Sequence, residues 1–116
     1  MLSLFTLTVI YLLIGEKTLR LQYEGYTYTL HLFKSVEQSG SPQGPVNLGS
    51  GPGQWTQPGV ELIMTGGASC PNGVQRSTTV RFECSYHPEK FISMEEFEMC
   101  RYQARVSTPA ACIIRR

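Results

Sequence analysis

The sequence is short of charge, and it has little that would attract a charged partner. Only 16% of its 116 residues are charged, well below the roughly one quarter that is typical, which argues against a solvated helical or coiled-coil protein. The net charge of +1 provides no concentrated positive charge of the kind that nucleic acid or an anionic membrane requires. A nucleic-acid partner is therefore not expected.

Signatures of catalysis and of cofactor binding are also missing. The chain has no G-x-S-x-G, no H-E-x-x-H and no P-loop motif. An acidic run at Glu95, Glu96 and Glu98 is typical of a solvated face, and it offers too few oxygen ligands for calcium. We therefore expect no catalytic residue, no cofactor and no metal ion.

Four cysteines lie in the C-terminal half, and none of them forms a C-x-x-C pair. Two disulfides are the favoured interpretation, and they would require an oxidising compartment. Cysteine-ligated zinc and four buried thiols are the alternatives, although His31 and His87 do not complete a Cys2His2 pattern. The positions concerned are Cys70, Cys84, Cys100 and Cys112.

The chain opens with an apolar run, Met1–Ile14, that is too short to span a bilayer. It has the length of a signal-peptide core, but no Lys or Arg precedes it and no small-x-small cleavage site follows. A buried strand is the alternative, and a start codon inside a longer gene would give the same appearance. We expect residues 1–14 to be a leader or an N-terminal strand, and residues 15–116 to form one domain.

Short strand-like segments follow, interrupted every ten or so residues by turn formers, which is the cadence of a β-sandwich or barrel. Leu19–Phe33 alternates around a Glu-Gly pair and predicts a hairpin. Arg76–Cys84 alternates clearly and predicts a strand with one buried face. Ser39–Gly53 is dense in glycine, proline and serine and predicts a loop.

The C-terminal third predicts a short helical turn and then the last strands. The turn would begin within Glu95–Glu98. Arg101–Val106, together with Ile113 and Ile114, would supply the final strands because of its strand-forming residues.

Four planar polar side chains lie close to cysteines or to predicted strand ends. An amide, a guanidinium, a carboxylate and a phenol are well suited to reading vicinal hydroxyls, since each donates or accepts hydrogen bonds in a fixed geometry. In the alternative interpretation, the arginine and the glutamate form a surface ion pair and the tyrosine packs in the core, and spacing alone favours this alternative. The four residues are Gln38, Arg76, Glu96 and Tyr102.

Several segments, taken in order, resemble one known family. They read R-S-T-T-V-R-F-E-C, C-R-Y and S-T-P-A-A-C, with Y-T-Y-T-L upstream. Together they are similar to the mannose 6-phosphate receptor homology (MRH) domain, and most of all to that of the beta subunit of endoplasmic reticulum glucosidase II. The resemblance covers roughly residues 15 to 112. It implies an all-β fold, a flattened barrel or sandwich of two mainly antiparallel sheets stapled by disulfides.

The resemblance also implies the roles of individual residues. Gln38 and Arg76 would contact the 2-hydroxyl that marks mannose. Glu96 and Tyr102 would contact the 3- and 4-hydroxyls, and no metal would take part. The pairing implied for the cysteines is Cys70 with Cys100 and Cys84 with Cys112.

One departure from the family lies in the first hairpin. A further disulfide of the family is absent, and its two positions are taken by Thr18 and His31. We therefore expect this hairpin, and the placement of Gln38 after it, to be looser than in the family.

The function implied by the resemblance is that of a non-catalytic lectin domain. It would recognise mannose on high-mannose N-glycans in the lumen of the endoplasmic reticulum, beside a catalytic glucosidase alpha subunit. A lectin of endoplasmic reticulum degradation and a phosphotransferase accessory subunit are alternatives within the family. A structural or protein-interaction sandwich with a decayed sugar site is the alternative from another class.

Overall fold

The structure, a computed structural model, describes residues 17–40, 44–57 and 61–114. These residues form eight strands and one short helix. The strands are β1 (Thr18–Tyr23), β2 (Tyr26–His31), β3 (Ser35–Ser39), β4 (Val46–Gln57), β5 (Glu61–Thr65), β6 (Ser77–Cys84), β7 (Lys90–Glu98) and β8 (Arg101–Thr108), and the helix is α1 (Ala110–Ile114).

All eight strands belong to one hydrogen-bonded sheet, in the order β1-β2-β3-β4-β5-β6-β8-β7. Neighbours are antiparallel throughout, apart from β6 and β8, which run parallel. The two ends of this order, β1 and β7, lie against each other, so the sheet curls into a nearly closed barrel. The expected all-β fold is confirmed in its barrel form, and the strands make one continuous sheet where two were expected.

The core fills the inside of this barrel with residues from alternate strand positions. Along β6, Thr78, Val80 and Phe82 face inward, as the alternation predicts. The buried hydroxyl of Thr78 donates a hydrogen bond to the carbonyl of Leu48 at 2.9 Å, so it is not left unsatisfied. Fully buried aliphatic side chains come from six strands: Leu30, Val36, Leu48, Leu62, Met64, Val80 and Val106.

The loop predicted over Ser39–Gly53 is wrong from Val46 onwards, where β4 begins. Gly49 packs so closely on β5 that a Cβ atom there would lie 2.5 Å from the carbonyl oxygen of Met64. Glycine is therefore needed for this strand approach. Pro52 lies where the β4–β5 register shifts, so its missing N–H interrupts no regular ladder. The residues that suggested a loop are those of an irregular strand.

The helical turn predicted over Glu95–Glu98 is also wrong, because these residues end β7. Phe91 and Met94 anchor the strand in the core, and β8 pairs with it along its length. β7 is the last strand in the hydrogen-bonding order, and charged side chains are common on such edges. Pairing with β8 therefore overrides local helix propensity.

The strand predicted at Ile113 and Ile114 is wrong as well, because both residues belong to α1. Thr108 caps this helix, since its hydroxyl oxygen accepts a hydrogen bond from the Ala110 N–H at 3.1 Å. Pro109 lies between this cap and α1, where a missing N–H costs nothing. Thr108 followed by Pro109 is a helix-start signal. The strand prediction rested on Ile113 and Ile114 and did not include this signal.

Both disulfides have the pairing that the resemblance implies. Cys70–Cys100 joins the turn before β6 to the turn between β7 and β8. Cys84–Cys112 joins the end of β6 to α1. No cysteine within residues 17–40, 44–57 and 61–114 is free.

The two positions at which the resemblance implies a further disulfide are direct partners in the β1–β2 ladder. Thr18 lies opposite His31, and the Thr18 hydroxyl is 3.2 Å from the imidazole Nδ1. A side-chain hydrogen bond thus joins these two positions.

The prediction for Met1–Ile14 lies outside the described residues. Among the described residues, a search for an apolar helix of bilayer-spanning length finds none.

Candidate functional site

A pocket of about 660 Å³ lies at one end of the barrel. Its walls come from the ends of β1, β3 and β7, the starts of β2 and β8, and the turn before β6. All four residues singled out in the sequence line it: Gln38, Arg76, Glu96 and Tyr102.

Gln38 reaches the pocket from β3, directly opposite Tyr28 of β2. Its side-chain Nε2 donates a hydrogen bond to the Tyr28 hydroxyl at 3.1 Å. Burial raises the pKa of the Tyr28 phenol, so the hydroxyl keeps its proton while it accepts from Gln38. The pair therefore presents an oriented amide and a neutral hydroxyl.

Arg76 lies immediately before β6, and main-chain oxygens aim its guanidinium. Its Nη1 donates to the carbonyl of Ser69 at 2.8 Å and to that of Ala68 at 3.4 Å. Its Nε donates to the Tyr102 hydroxyl at 3.4 Å. A guanidinium has five N–H donors in a fixed fork, so this arrangement orients Arg76 and still leaves donors for a ligand.

Glu96 and Tyr102 face each other across the β7–β8 ladder. One oxygen of the Glu96 carboxylate accepts a hydrogen bond from the Cys100 N–H at 2.7 Å. Cys100 has a left-handed backbone with φ of 66°, and it is covalently tied to Cys70. The tight turn that carries the disulfide therefore also holds the carboxylate in place.

The alternative interpretation of these residues was a surface ion pair between Arg76 and Glu96, with Tyr102 packed in the core. The structure agrees with the second part and not with the first. Tyr102 is only 6% exposed and belongs to the core cluster, yet its hydroxyl faces Arg76 at the pocket. Ion pairs in the described part of the chain do not include one between Arg76 and Glu96.

Sequence reasoning missed Tyr28 as a member of the site. The hairpin predicted over Leu19–Phe33 contains Tyr28, and the structure shows that its ring is buried. Only the pairing of β2 with β3 puts its hydroxyl beside Gln38.

The pocket combines hydrogen-bond donors and acceptors, and the opposite charges of Arg76 and Glu96 offset each other. An amide, a guanidinium, a carboxylate and two phenols can bond to several hydroxyls of one neutral, rigid ligand. Nowhere in the described segments do three His, Cys, Asp or Glu side chains gather as metal ligands would. The arrangement suits a polyhydroxyl compound such as a sugar.

Comparison with known proteins gives the family. The family model for "Glucosidase II beta subunit-like protein" matches residues 3–116. The glucosidase 2 subunit beta of Schizosaccharomyces pombe (strain 972 / ATCC 24843) is 35% identical over 98 residues. That match covers 84% of this chain and 17% of the relative, so the chain spans about a sixth of the length of that protein.

Solved structures agree in fold and, in one case, in sequence. The crystal structure of the MRH domain of glucosidase II beta bound to mannose superposes with a TM-score of 0.69 at 31% identity. The match covers 85% of this chain and 96% of that one. The solution structure of the MRH domain of Yos9 complexed with alpha3,alpha6-Man5 has a TM-score of 0.75 at 17% identity, covers 95% and 88% of the two chains, and shows the fold alone. The chain belongs to the glucosidase II beta subunit-like family, and its barrel is an MRH domain.

Proposed function

We propose that this domain is a lectin that binds mannose of high-mannose N-glycans without a metal ion. Gln38 and Arg76 contact the 2-hydroxyl, and Glu96 and Tyr102 contact the 3- and 4-hydroxyls. The support comes from membership of the family and from the mannose in the crystal structure of a relative's domain.

One observation carries the proposal more than any other. The four residue types that the family resemblance assigns to sugar binding come from four separate places in the chain, and they line a single pocket. Three of the four side chains are already oriented by hydrogen bonds to other atoms of the protein. They are Gln38, Arg76 and Glu96. Such preorganisation reduces the entropic cost of ordering these side chains when a ligand binds.

The wider role follows from the relatives. We infer that the domain works without catalysis of its own in the lumen of the endoplasmic reticulum. There it presents mannose-bearing glycoproteins to a catalytic glucosidase alpha subunit. The support is the sequence likeness to a glucosidase 2 subunit beta. Co-precipitation of a tagged alpha subunit with the beta chain, with and without this domain, tests the association separately from sugar binding.

Sugar binding is tested by calorimetric titration with mannose and α-linked mannobiose. Arg76→Ala and Glu96→Gln should each weaken binding by roughly tenfold to a hundredfold, since each removes a charge-assisted hydrogen bond. Arg76→Lys should fall in between, because it keeps the charge and loses the fork.

Two exposed residues near the same turn provide matched controls. Arg101 and Glu98 form their own ion pair and do not line the pocket. Arg101→Ala and Glu98→Gln should therefore leave the affinity as it is. Absence of saturable binding by the unmodified protein would sink the lectin proposal and favour a sandwich with a decayed site.

A further inference from the structure

An exposed methionine, Met99, lines the pocket. The chain has four methionines, and three of them lie among the described residues. Met64 and Met94 are buried in the core, at 0% and 3% exposure, whereas Met99 is 66% exposed. Met99 belongs to the turn between β7 and β8. Its thioether is therefore accessible to small solutes at the place where we propose that mannose binds.

A side chain from the turn before β6 holds the Met99 sulfur in position. Asn72 donates a hydrogen bond from its Nδ2 to the Met99 Sδ at 3.7 Å. The Asn72 side chain is itself fixed, because its Oδ1 accepts a hydrogen bond from the Val74 N–H at 2.9 Å. A thioether sulfur is a weak acceptor with two lone pairs. One lone pair takes part in the contact with Asn72, and the other is left for reaction with a solute.

We propose that Met99 is a site of reversible oxidation by hydrogen peroxide, and that its sulfoxide weakens mannose binding. The sulfur lone pair attacks one peroxide oxygen, so that an S–O bond forms as the O–O bond breaks. The leaving hydroxide takes the proton from the transferred oxygen and becomes water. The sulfur is oxidised by two electrons and the peroxide is reduced by two. Methionine sulfoxide reductases reverse the change, and the oxidising compartment that the two disulfides require is compatible with such an oxidant.

The sulfoxide changes the pocket because it replaces a weak hydrogen-bond acceptor with a strong one. Arg76 lines the same pocket, and its guanidinium keeps further N–H donors beyond those that bond to main-chain oxygens and to Tyr102. In the proposed function a mannose hydroxyl uses these donors, and the sulfoxide oxygen competes for them. Oxidation also makes an apolar part of the pocket wall polar. The effect on affinity rests on the proposed function, whereas the oxidation itself does not.

The test measures the dissociation constant of methyl α-mannoside before and after treatment with hydrogen peroxide, and peptide mass spectrometry identifies which methionines gain an oxygen atom. Met99 should be oxidised before Met64 and Met94, because burial shields their thioethers from the oxidant. The affinity should fall roughly threefold to tenfold, as expected when one hydrogen bond to a charged group is lost. Treatment with the two methionine sulfoxide reductases, one for each sulfoxide epimer, should restore it.

Two substitutions of Met99 provide matched controls. Met99→Leu keeps a similar volume and removes the sulfur. Its dissociation constant should be the same before and after peroxide, although Met1, Met64 and Met94 remain in the chain. Met99→Gln places a permanent amide oxygen on a side chain of similar length. It should bind the mannoside more weakly than Met99→Leu does, without any peroxide.

The outcomes separate the two proposals. If the mannoside binds and its affinity survives oxidation of Met99, the inference about Met99 is wrong and mannose binding stands. The same conclusion follows if Met64 or Met94 is oxidised first, or if peroxide weakens binding equally in Met99→Leu. If the unmodified protein does not bind the mannoside at all, the proposed function and the effect of oxidation fall together.

Discussion

The two walls of the pocket are held by different kinds of bond. On one wall, which we call the stapled wall, Arg76 and Glu96 bond to main-chain atoms beside the Cys70–Cys100 disulfide. On the other, the hairpin wall, Gln38 bonds to the side chain of Tyr28. A main-chain partner persists as long as the fold does, whereas a side-chain partner can be lost by one substitution.

The strands behind the walls differ in the same way. The stapled wall is crosslinked covalently, and the hairpin wall has only the Thr18–His31 hydrogen bond, at the positions where the resemblance implies a disulfide. A hydrogen bond contributes about 1 kcal/mol net, and a disulfide contributes roughly 2 to 4 kcal/mol. We therefore expect the hairpin wall to open first and to set the dynamics of the pocket.

Removal of each disulfide should have the largest effects and should separate the walls most clearly. The two bridges close loops of similar length, with sequence separations of 30 and 28. Cys70→Ser with Cys100→Ser and Cys84→Ser with Cys112→Ser should each cost roughly 3 to 4 kcal/mol of unfolding free energy. Only the first pair should also weaken mannose binding in the folded protein, by about tenfold, because only it supports the turn that holds Glu96.

Equal losses of affinity in the two double variants would contradict this difference between the bridges. Titrations below both melting temperatures, with circular dichroism as the check of folding, make the comparison.

Restoring a crosslink to the hairpin should have the next largest effect. Thr18→Cys with His31→Cys joins residues that already face each other in the ladder. The oxidised variant should gain about 2 to 3 kcal/mol of unfolding free energy, and amide exchange in β1 and β2 should slow. The reduced form of the same variant is the control, and a gain of stability that persists on reduction would refute the crosslinking explanation.

Loss of the Tyr28 hydroxyl should have a smaller effect, confined to binding. Tyr28→Phe removes the acceptor for Gln38 and should weaken mannose binding by roughly twofold to tenfold. If Tyr28 acts by positioning Gln38, Tyr28→Phe should cost nothing further in a Gln38→Ala background. Additive losses would instead indicate that Tyr28 contacts the sugar itself.

The smallest effect should come from a surface ion pair between β6 and β8. Arg105 donates hydrogen bonds to Glu83, chiefly through its Nε, and this holds the pKa of the Glu83 carboxyl below its usual range. The depressed pKa stabilises the fold above the unfolded-state pKa, and this stabilisation disappears as the pH falls through the folded-state value. Because the pair is partly exposed and water screens it, we expect its contribution to stability to be small.

Denaturant unfolding at neutral and acidic pH measures this contribution. Glu83→Gln should lower stability at neutral pH and flatten that part of the pH dependence. Its affinity for mannose should not change, because neither member of the pair lines the pocket.

Sequence reasoning succeeded where local pattern and tertiary environment agree. The alternation along β6 predicted which side chains are buried, and the Glu24-Gly25 pair predicted the first hairpin turn. It failed where pairing partners overrode local preference. Gly49 lies in a segment that was predicted as a loop, but it allows β4 to pack closely on β5. The acidic residues Glu95–Glu98 were predicted as a helical turn, but they end the edge strand β7.

By itself the sequence determined the all-β class, the family and the residue types of the site, because these depend on composition, periodicity and ordered motifs. Only the tertiary structure decided which atoms hold each side chain. The register of β2 with β3 gave Gln38 a tyrosine as partner, and the turn at Cys100 gave Glu96 a main-chain N–H. The orientation of these groups depends on contacts between residues far apart in the chain, and no local pattern encodes such contacts.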